Sequence, residues 1–225
     1  MTVRSPSGYK HINTMKIIRN IIIGLLLLVA GTIALMLIPS PQGTADKPWE
    51  VTTMADGNPR VLGIHLGKTD YKSAQQQLGV FGETALFVDP DGSRSVEAFF
   101  DSINQSGLSA KLVLNLDVSE ARMQAMQQNA IAGERQPSGA RQLTLAEQDR
   151  AFLLTAPVRA MTYMPSVRLK PEMIKSRFGE PDKVEQKKAA ETGLVTRTWH
   201  YPDIGLTVVF RGEDKPILVY QARVL

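Results

Sequence analysis

Cysteine is missing from the 225 residues. That absence excludes a disulfide scaffold, a thiolate metal site, a cysteine nucleophile and lipidation on an N-terminal cysteine. Acidic residues are missing from the first 45 positions, which hold Arg4, Lys10, Lys16 and Arg19. The formal charge of +4 and the pI near 9.3 therefore come from the N-terminal tail, because the rest of the chain carries 22 acids against 22 bases. A remainder without net charge lacks the broad positive surplus that phosphate backbones select, so no nucleic-acid partner is expected. Hydrophobic residues make up 43% of the chain, enough to bury a core.

Between Ile21 and Ile38 the chain runs for 18 apolar or small residues without a charge, roughly 27 Å as a helix against a hydrocarbon core of about 30 Å. All four early cations precede this run and the first acid after it is Asp46. The positive-inside rule then places the N-terminus in the cytoplasm and the remainder outside, in the periplasm of a bacterium. The expected localisation is the bacterial inner membrane, single-pass, with the membrane itself as a partner through residues 21–38. Gly43-Thr44-Ala45 offers small residues to a signal peptidase, so a cleaved leader is the rival reading; the length of the apolar run favours a retained anchor. Ala30 and Ala34 form a small-xxx-small pair that points to a homodimer.

Composition and turn signals divide the rest. Residues 1–20 read as a cytoplasmic basic tail and 21–38 as the transmembrane helix. Residues 39–60, with four prolines and two glycines, read as an extended spacer, so that folding begins near Val61. A first α+β unit is expected over 61–117, a helical bridge with a flexible loop over 118–157, and a second α+β unit over 158–225. The bridge holds two helical patterns, one opening at Ser119 and one at Thr144, where Glu147 three residues later completes a capping box. Gly133 to Arg141 lies between them as a low-order stretch.

The outer thirds share an order. In the first, Val61 to Lys68 gives an extended start, Thr69 caps a helix bearing Tyr71, Ala74 and Leu78, and Gly79 ends it. In the second, Ser166 to Leu169 leads into Pro171, Ile174 and Phe178 share a face, and Gly179 and Pro181 stop the helix. Three strand signals follow in series: Val195 to Tyr201, Gly205 to Phe210 and Ile217 to Arg223. In the first copy Leu108, Ala110, Leu112, Leu114 and Leu116 alternate as a strand does. Val96, Phe99, Phe100 and Ile103 recur instead at helical spacing. The first unit is either an inserted version of the second or a different small α/β unit that begins similarly. The expected fold class is α+β: an N-terminal transmembrane helix followed by two small helix-plus-antiparallel-sheet units, the second the clearer.

Val167, Leu169, Phe178 through Asp182, Trp199, Tyr201 through Asp203 and Gly205 through Phe210 carry a pattern that resembles the SmpA/OmlA family, the fold of the BamE-like lipoproteins of outer-membrane assembly. It is also similar to the β-lactamase-inhibitor proteins, which hold two such units in tandem. The resemblance covers roughly residues 165–223 and implies a helix laid on an antiparallel meander and a protein-binding role. The chain departs from the family in having no lipobox cysteine; a membrane segment stands in its place.

Chemical motifs are sparse. Gly63 to Thr69 resembles a phosphate loop with one residue too few between its glycines. Asp89, Asp91 and Ser93 resemble a calcium loop in which Arg94 and Phe100 replace the glycine and the bidentate acid. His65 and His200 fall in equivalent places of the two outer thirds, neither with an acid at ligand spacing. No G-x-S-x-G is present. No catalytic residue, no metal site and no cofactor is therefore expected. Trp199 and Tyr201 share one side of a strand and belong either to the core or to a binding surface. The candidate binding residues are Trp199, Tyr201, His200 and His65. The leading expectation is an inner-membrane-anchored periplasmic protein that acts as a non-enzymatic interaction module for another envelope protein. The alternatives are an envelope enzyme or small-ligand or lipid receptor with a site between the two units, and an inhibitor of a periplasmic enzyme.

Overall fold

Strict alternation makes Leu108–Leu116 a strand that buries Ala110, Leu112, Leu114 and Leu116 and turns Ser109 and Lys111 outward. In the computed structural model, which describes residues 47–189 and 193–223, this strand lies within a ten-stranded sheet. The elements in chain order are β1 (Thr52–Thr53), β2 (Pro59–Val61), β3 (Ile64–His65), α1 (Tyr71–Leu78), β4 (Glu83–Val88), β5 (Arg94–Gln105) and β6 (Leu108–Leu116). There follow α2 (Glu120–Gln128), β7 (Ala132–Arg135), β8 (Arg141–Thr144), α3 (Glu147–Leu153), β9 (Val158–Pro165) and α4 (Pro171–Phe178). The chain closes with β10 (Lys183–Lys188), β11 (Val195–Tyr201), a single 3-10 turn at Pro202–Ile204, β12 (Leu206–Arg211) and β13 (Ile217–Gln221).

The sheet runs β10-β11-β12-β13-β9-β6-β5-β4-β8-β7 with every neighbouring pair antiparallel, and β1, β2 and β3 form a separate three-stranded sheet. This overturns the expected fold class. Of the described residues 44% are strand and 20% helix, and the two expected small units are one continuous sheet. The cause is β9, which pairs with β13 on one side and β6 on the other, so both halves continue through it. The expected transmembrane helix, residues 21–38, lies outside the described residues, as do the basic tail and the opening of the spacer. Among the described residues no helix is long and apolar enough to cross a membrane.

Residues 94–105 correct a second expectation. They form β5 rather than a helix, and a bulge between Phe100 and Ile103 explains the helical spacing. The bulge adds a step to the alternation, so that Val96, Ala98, Phe100 and Ile103 all point into one core although the last two are three apart. Phe99 points the other way and is 38% exposed.

The segment Gly133 to Arg141, read as low-order, is the β7–β8 hairpin at one edge. Thr144 does not cap a helix: its backbone is held in the ladder opposite Ala85 and Ala132, and α3 starts behind Ala146. Asp70, not Thr69, caps α1, accepting from the Ser73 amide at 2.7 Å.

The described part of the spacer packs on the fold. The Tyr220 hydroxyl donates to the Pro48 carbonyl, the Arg223 amide donates to Asn58 Oδ1 at 2.8 Å, and the Arg177 guanidinium lies 4.6 Å from the Trp49 ring centroid. Long-range partners thus take up backbone groups that local sequence leaves unpaired.

Core residues lie on one face of the sheet. Phe100, Leu112, Leu114, Met161, Tyr163, Leu218, Tyr220, Val208, Trp199 and Tyr201 are buried there, alternating with half-exposed residues on the other face. Helix α1 reaches this face through Tyr71, 6.4 Å edge-on from Phe100, and α4 through Phe178, 5.9 Å from Tyr201.

Candidate functional site

Trp199 and Tyr201 sit in that core. Trp199 packs edge-on against Phe210 at 4.8 Å with the Lys175 ammonium 5.5 Å from its ring. The Tyr201 hydroxyl donates to the Gly179 carbonyl at 3.2 Å. Burial, helped by Glu180 and Asp182, pushes its ionisation above that of a free phenol. Both rings hold α4 to the sheet.

The two histidines part company. His65, on β3, places Nε2 at 3.0 and 3.1 Å from the Asp56 carboxylate oxygens, a partner nine residues upstream in the segment read as spacer. The Asn58 amide donates to the same carboxylate, which together with His65 holds Asp56 below the usual carboxylate range. His200, on β11, has its buried Nε2 without a hydrogen bond and 3.7 Å from Glu185 Oε1. They belong to different sheets, with different acids. Among the described residues no three metal-ligating side chains converge.

The two loop motifs are structural. The amides of Gly67, Lys68 and Thr69 donate to the carbonyls of Val158 and His65, which leaves no cradle for phosphate. Asp91 accepts from the amide and hydroxyl of Ser93, an Asx turn between β4 and β5.

The second face of the large sheet is where side chains of different strands converge in the open. The register lines up Lys183, His200, Thr207, Val219, Thr162, Val113, Phe99 and Glu83 as one row across eight strands. At the usual interstrand spacing that row is roughly 33 Å long. Its centre is small and β-branched; Lys183 at one end is ion-paired with Glu185 at 2.8 Å, and Glu83 stands at the other. Two clefts open along it. One, of about 420 Å³, is lined by Asn115, Ala160, Thr162, Val219 and Gln221 together with Arg94 and Met123. The other, of about 720 Å³, is lined by Ala85, Phe87, Glu97, Phe99 and Val113 from the sheet, with Gln136, Gln142, Thr144 and Arg150 around its side.

Glu97 is the unusual group there. Asn115 Nδ2 and Ser95 Oγ both donate to its Oε1, at 3.3 and 3.4 Å. Burial raises its ionisation above the ordinary glutamate range, with Asp89 adding to the effect and the two hydrogen bonds opposing it. Sequence reasoning misses this cleft because Val96, Phe99, Phe100 and Ile103 recur at helical spacing. The signal was Ser95, Glu97 and Phe99 at period two, visible only once a bulge is allowed after Phe100.

Comparison with protein-family models, with curated proteins and with solved structures found no match for this chain.

Proposed function

We propose that the chain is anchored in the inner membrane of a bacterium through residues 21–38, with a cytoplasmic N-terminus, and that its exported part is a non-enzymatic module receiving another envelope protein. The row from Lys183 to Glu83 supports this reading most. A half-exposed, small-residue surface of that length matches the footprint of a stable protein interface, about 800 Å² per partner. The helix, the glycine that ends it and the three strands from Val195 to Gln221 support relating this stretch to the SmpA/OmlA family.

The test is photo-crosslinking in intact cells from Thr162 and from Val219, with Met173, which is 46% exposed on α4, as control. Adducts to an envelope protein from the two sheet positions and none from Met173 are expected. Adducts of twice the chain mass would make the partner a second copy. Crosslinks from Met173 alone would move the interface to the helical side and sink the proposal.

A further inference from the structure

The cleft of about 720 Å³ on the second face has a floor whose shape follows from side-chain size. Ala85 on β4 is flanked in its own row by Glu97 on β5 and Thr144 on β8. In the rows on either side stand Glu83 opposite Phe99, and Phe87 opposite Ser95 and Gln142. A methyl group surrounded by two phenyl rings and larger polar side chains leaves a hollow above it, with diagonal neighbours about 7 Å apart. Glu97 lines this hollow together with both phenylalanines. Its Oε1 carries both hydrogen bonds, and Oε2 has no partner among the described residues.

The charges around the hollow do not cancel. Glu97 and Glu83 face Arg150, and none of the three forms an ion pair among the described residues. Lys111, whose ammonium lies 5.7 Å from the Phe99 ring centroid, is neutralised by Asp101 at 2.7 Å. Negative charge is left in excess beside the two phenyl rings. Carboxylate plus phenyl faces is the chemistry that recognises an organic cation: the carboxylate supplies a charge-assisted hydrogen bond, and the rings attract the charge and shelter an aliphatic stem.

We propose that the hollow above Ala85 binds an alkylammonium or alkylguanidinium group, its charged head on Glu97 and its apolar stem against Phe87 and Phe99. The burial that makes ionised Glu97 costly is relieved when a cation pairs with it. Arg150 at the side repels the head and confines it to the Glu97 end. The same group is carried by a free amine and by a lysine or arginine side chain. This inference stands apart from the docking of an envelope protein, since it is measured with no partner present.

The experiment is calorimetric titration of the full chain, in a mild detergent, with n-butylammonium and, as the uncharged control, n-butanol. Saturable binding of the cation and none of the alcohol is expected. Glu97→Gln should weaken the cation by roughly tenfold or more, the loss of one charged hydrogen bond. Arg150→Gln, which removes a repulsion, should tighten it. Ala85→Leu fills the hollow and should abolish binding. A peptide with a single lysine separates the two sources: binding tighter than butylammonium assigns the hollow to a protein side chain, equal or weaker binding to a free amine. Equal binding of alcohol and cation, no binding of the cation by the parent chain, or an unchanged affinity in Glu97→Gln would each overturn the proposal. Arg150→Gln keeps it falsifiable if Glu97→Gln fails to fold, because only a cation in the hollow gains from that change.

Discussion

On the β6 side of β9 and on the β13 side the chain follows the same order, a helix and then antiparallel strands, yet the two helices are buried to different depths. Helix α1 buries Tyr71, Ala74, Gln75 and Leu78, a full i, i+3, i+4, i+7 stripe, and its first turn is capped by Asp70. Helix α4 buries Ile174 alone, has no side-chain cap and starts on Pro171. Ala74 is fully buried within that stripe. The outer strands differ as well. On the β13 side the sheet ends in β10, whose Lys183, Lys187 and Lys188 guard an exposed edge against further pairing. On the other side it continues past β4 into the β7–β8 hairpin, which walls the Glu97 cleft. The half whose sequence motif is easier to recognise is thus the one that packs its helix more loosely. A legible pattern reports chain order, and depth of packing depends on side-chain size at a few positions.

The largest test of this asymmetry sets Phe100 against Phe178. Phe100 is 2% exposed beneath α1, so Phe100→Ala should cost about 3–5 kcal/mol. Phe178 is half-buried beside Tyr201, and Phe178→Ala should cost roughly 1–2 kcal/mol. Thermal melts followed by circular dichroism measure both. Equal losses would mean that α4 is held as tightly as α1 and that the contrast is false.

Alkaline pH probes the same contrast through tyrosines. Burial pushes Tyr71, the first residue of α1, up to about 12, and raises Tyr163, Tyr201 and Tyr220 as well, Tyr220 most strongly. For a group whose folded pKa is raised, the stabilisation is complete below the unfolded value, near 10 for tyrosine. It is lost as pH climbs, because the unfolded chain releases the proton first. Stability should therefore hold up to about pH 10 and fall between there and about 12. Tyr71→Phe should flatten that fall, and Tyr220→Phe should flatten it more than Tyr201→Phe. A melting temperature indifferent to pH between about 9 and 12 would show the rings ionising as freely folded as unfolded.

Much of the order of elements could be read in advance and much of the sheet could not, for reasons that lie in particular residues. Trp199, Tyr201, Val208 and Phe210 alternate so plainly that β11 and β12 follow from them. The helix start at Pro171 and the strand from Leu108 are equally local. By contrast β9 reads Val-Arg-Ala-Met-Thr-Tyr-Met-Pro, with no clear period, and becomes a central strand only because β6 and β13 flank it. Strand β10, nearly all charged or polar, is recruited by its partner β11. The bulge after Phe100 hid β5 and with it the Glu97 cleft. His65 reads locally as a lone histidine; its partner Asp56 lies in the Pro- and Gly-containing stretch that suggests a spacer, and the described part of that stretch packs on the fold.

The smallest expected effect distinguishes how the two helices stop. Gly79 ends α1 at φ 69° and ψ 17°, the left-handed helical region, whereas Gly179 ends α4 at φ 83° and ψ −170°. Asparagine enters the first region with little strain, but the second is a region that essentially only glycine occupies. An added Cβ meets nothing within 4 Å at either glycine, so crowding does not confuse the comparison. Gly179→Asn should then cost roughly 1–3 kcal/mol and Gly79→Asn less than about 1 kcal/mol, read from denaturant midpoints. The larger cost falls at the end of the more loosely packed helix, where Gly179 also accepts a hydrogen bond from the Tyr201 hydroxyl at its carbonyl. Gly179→Asn combined with Tyr201→Phe tests that link. Costs that add independently would mean that the glycine only ends the helix. A combined cost below the sum would mean that its backbone conformation also aims the carbonyl at Tyr201 and joins α4 to the sheet.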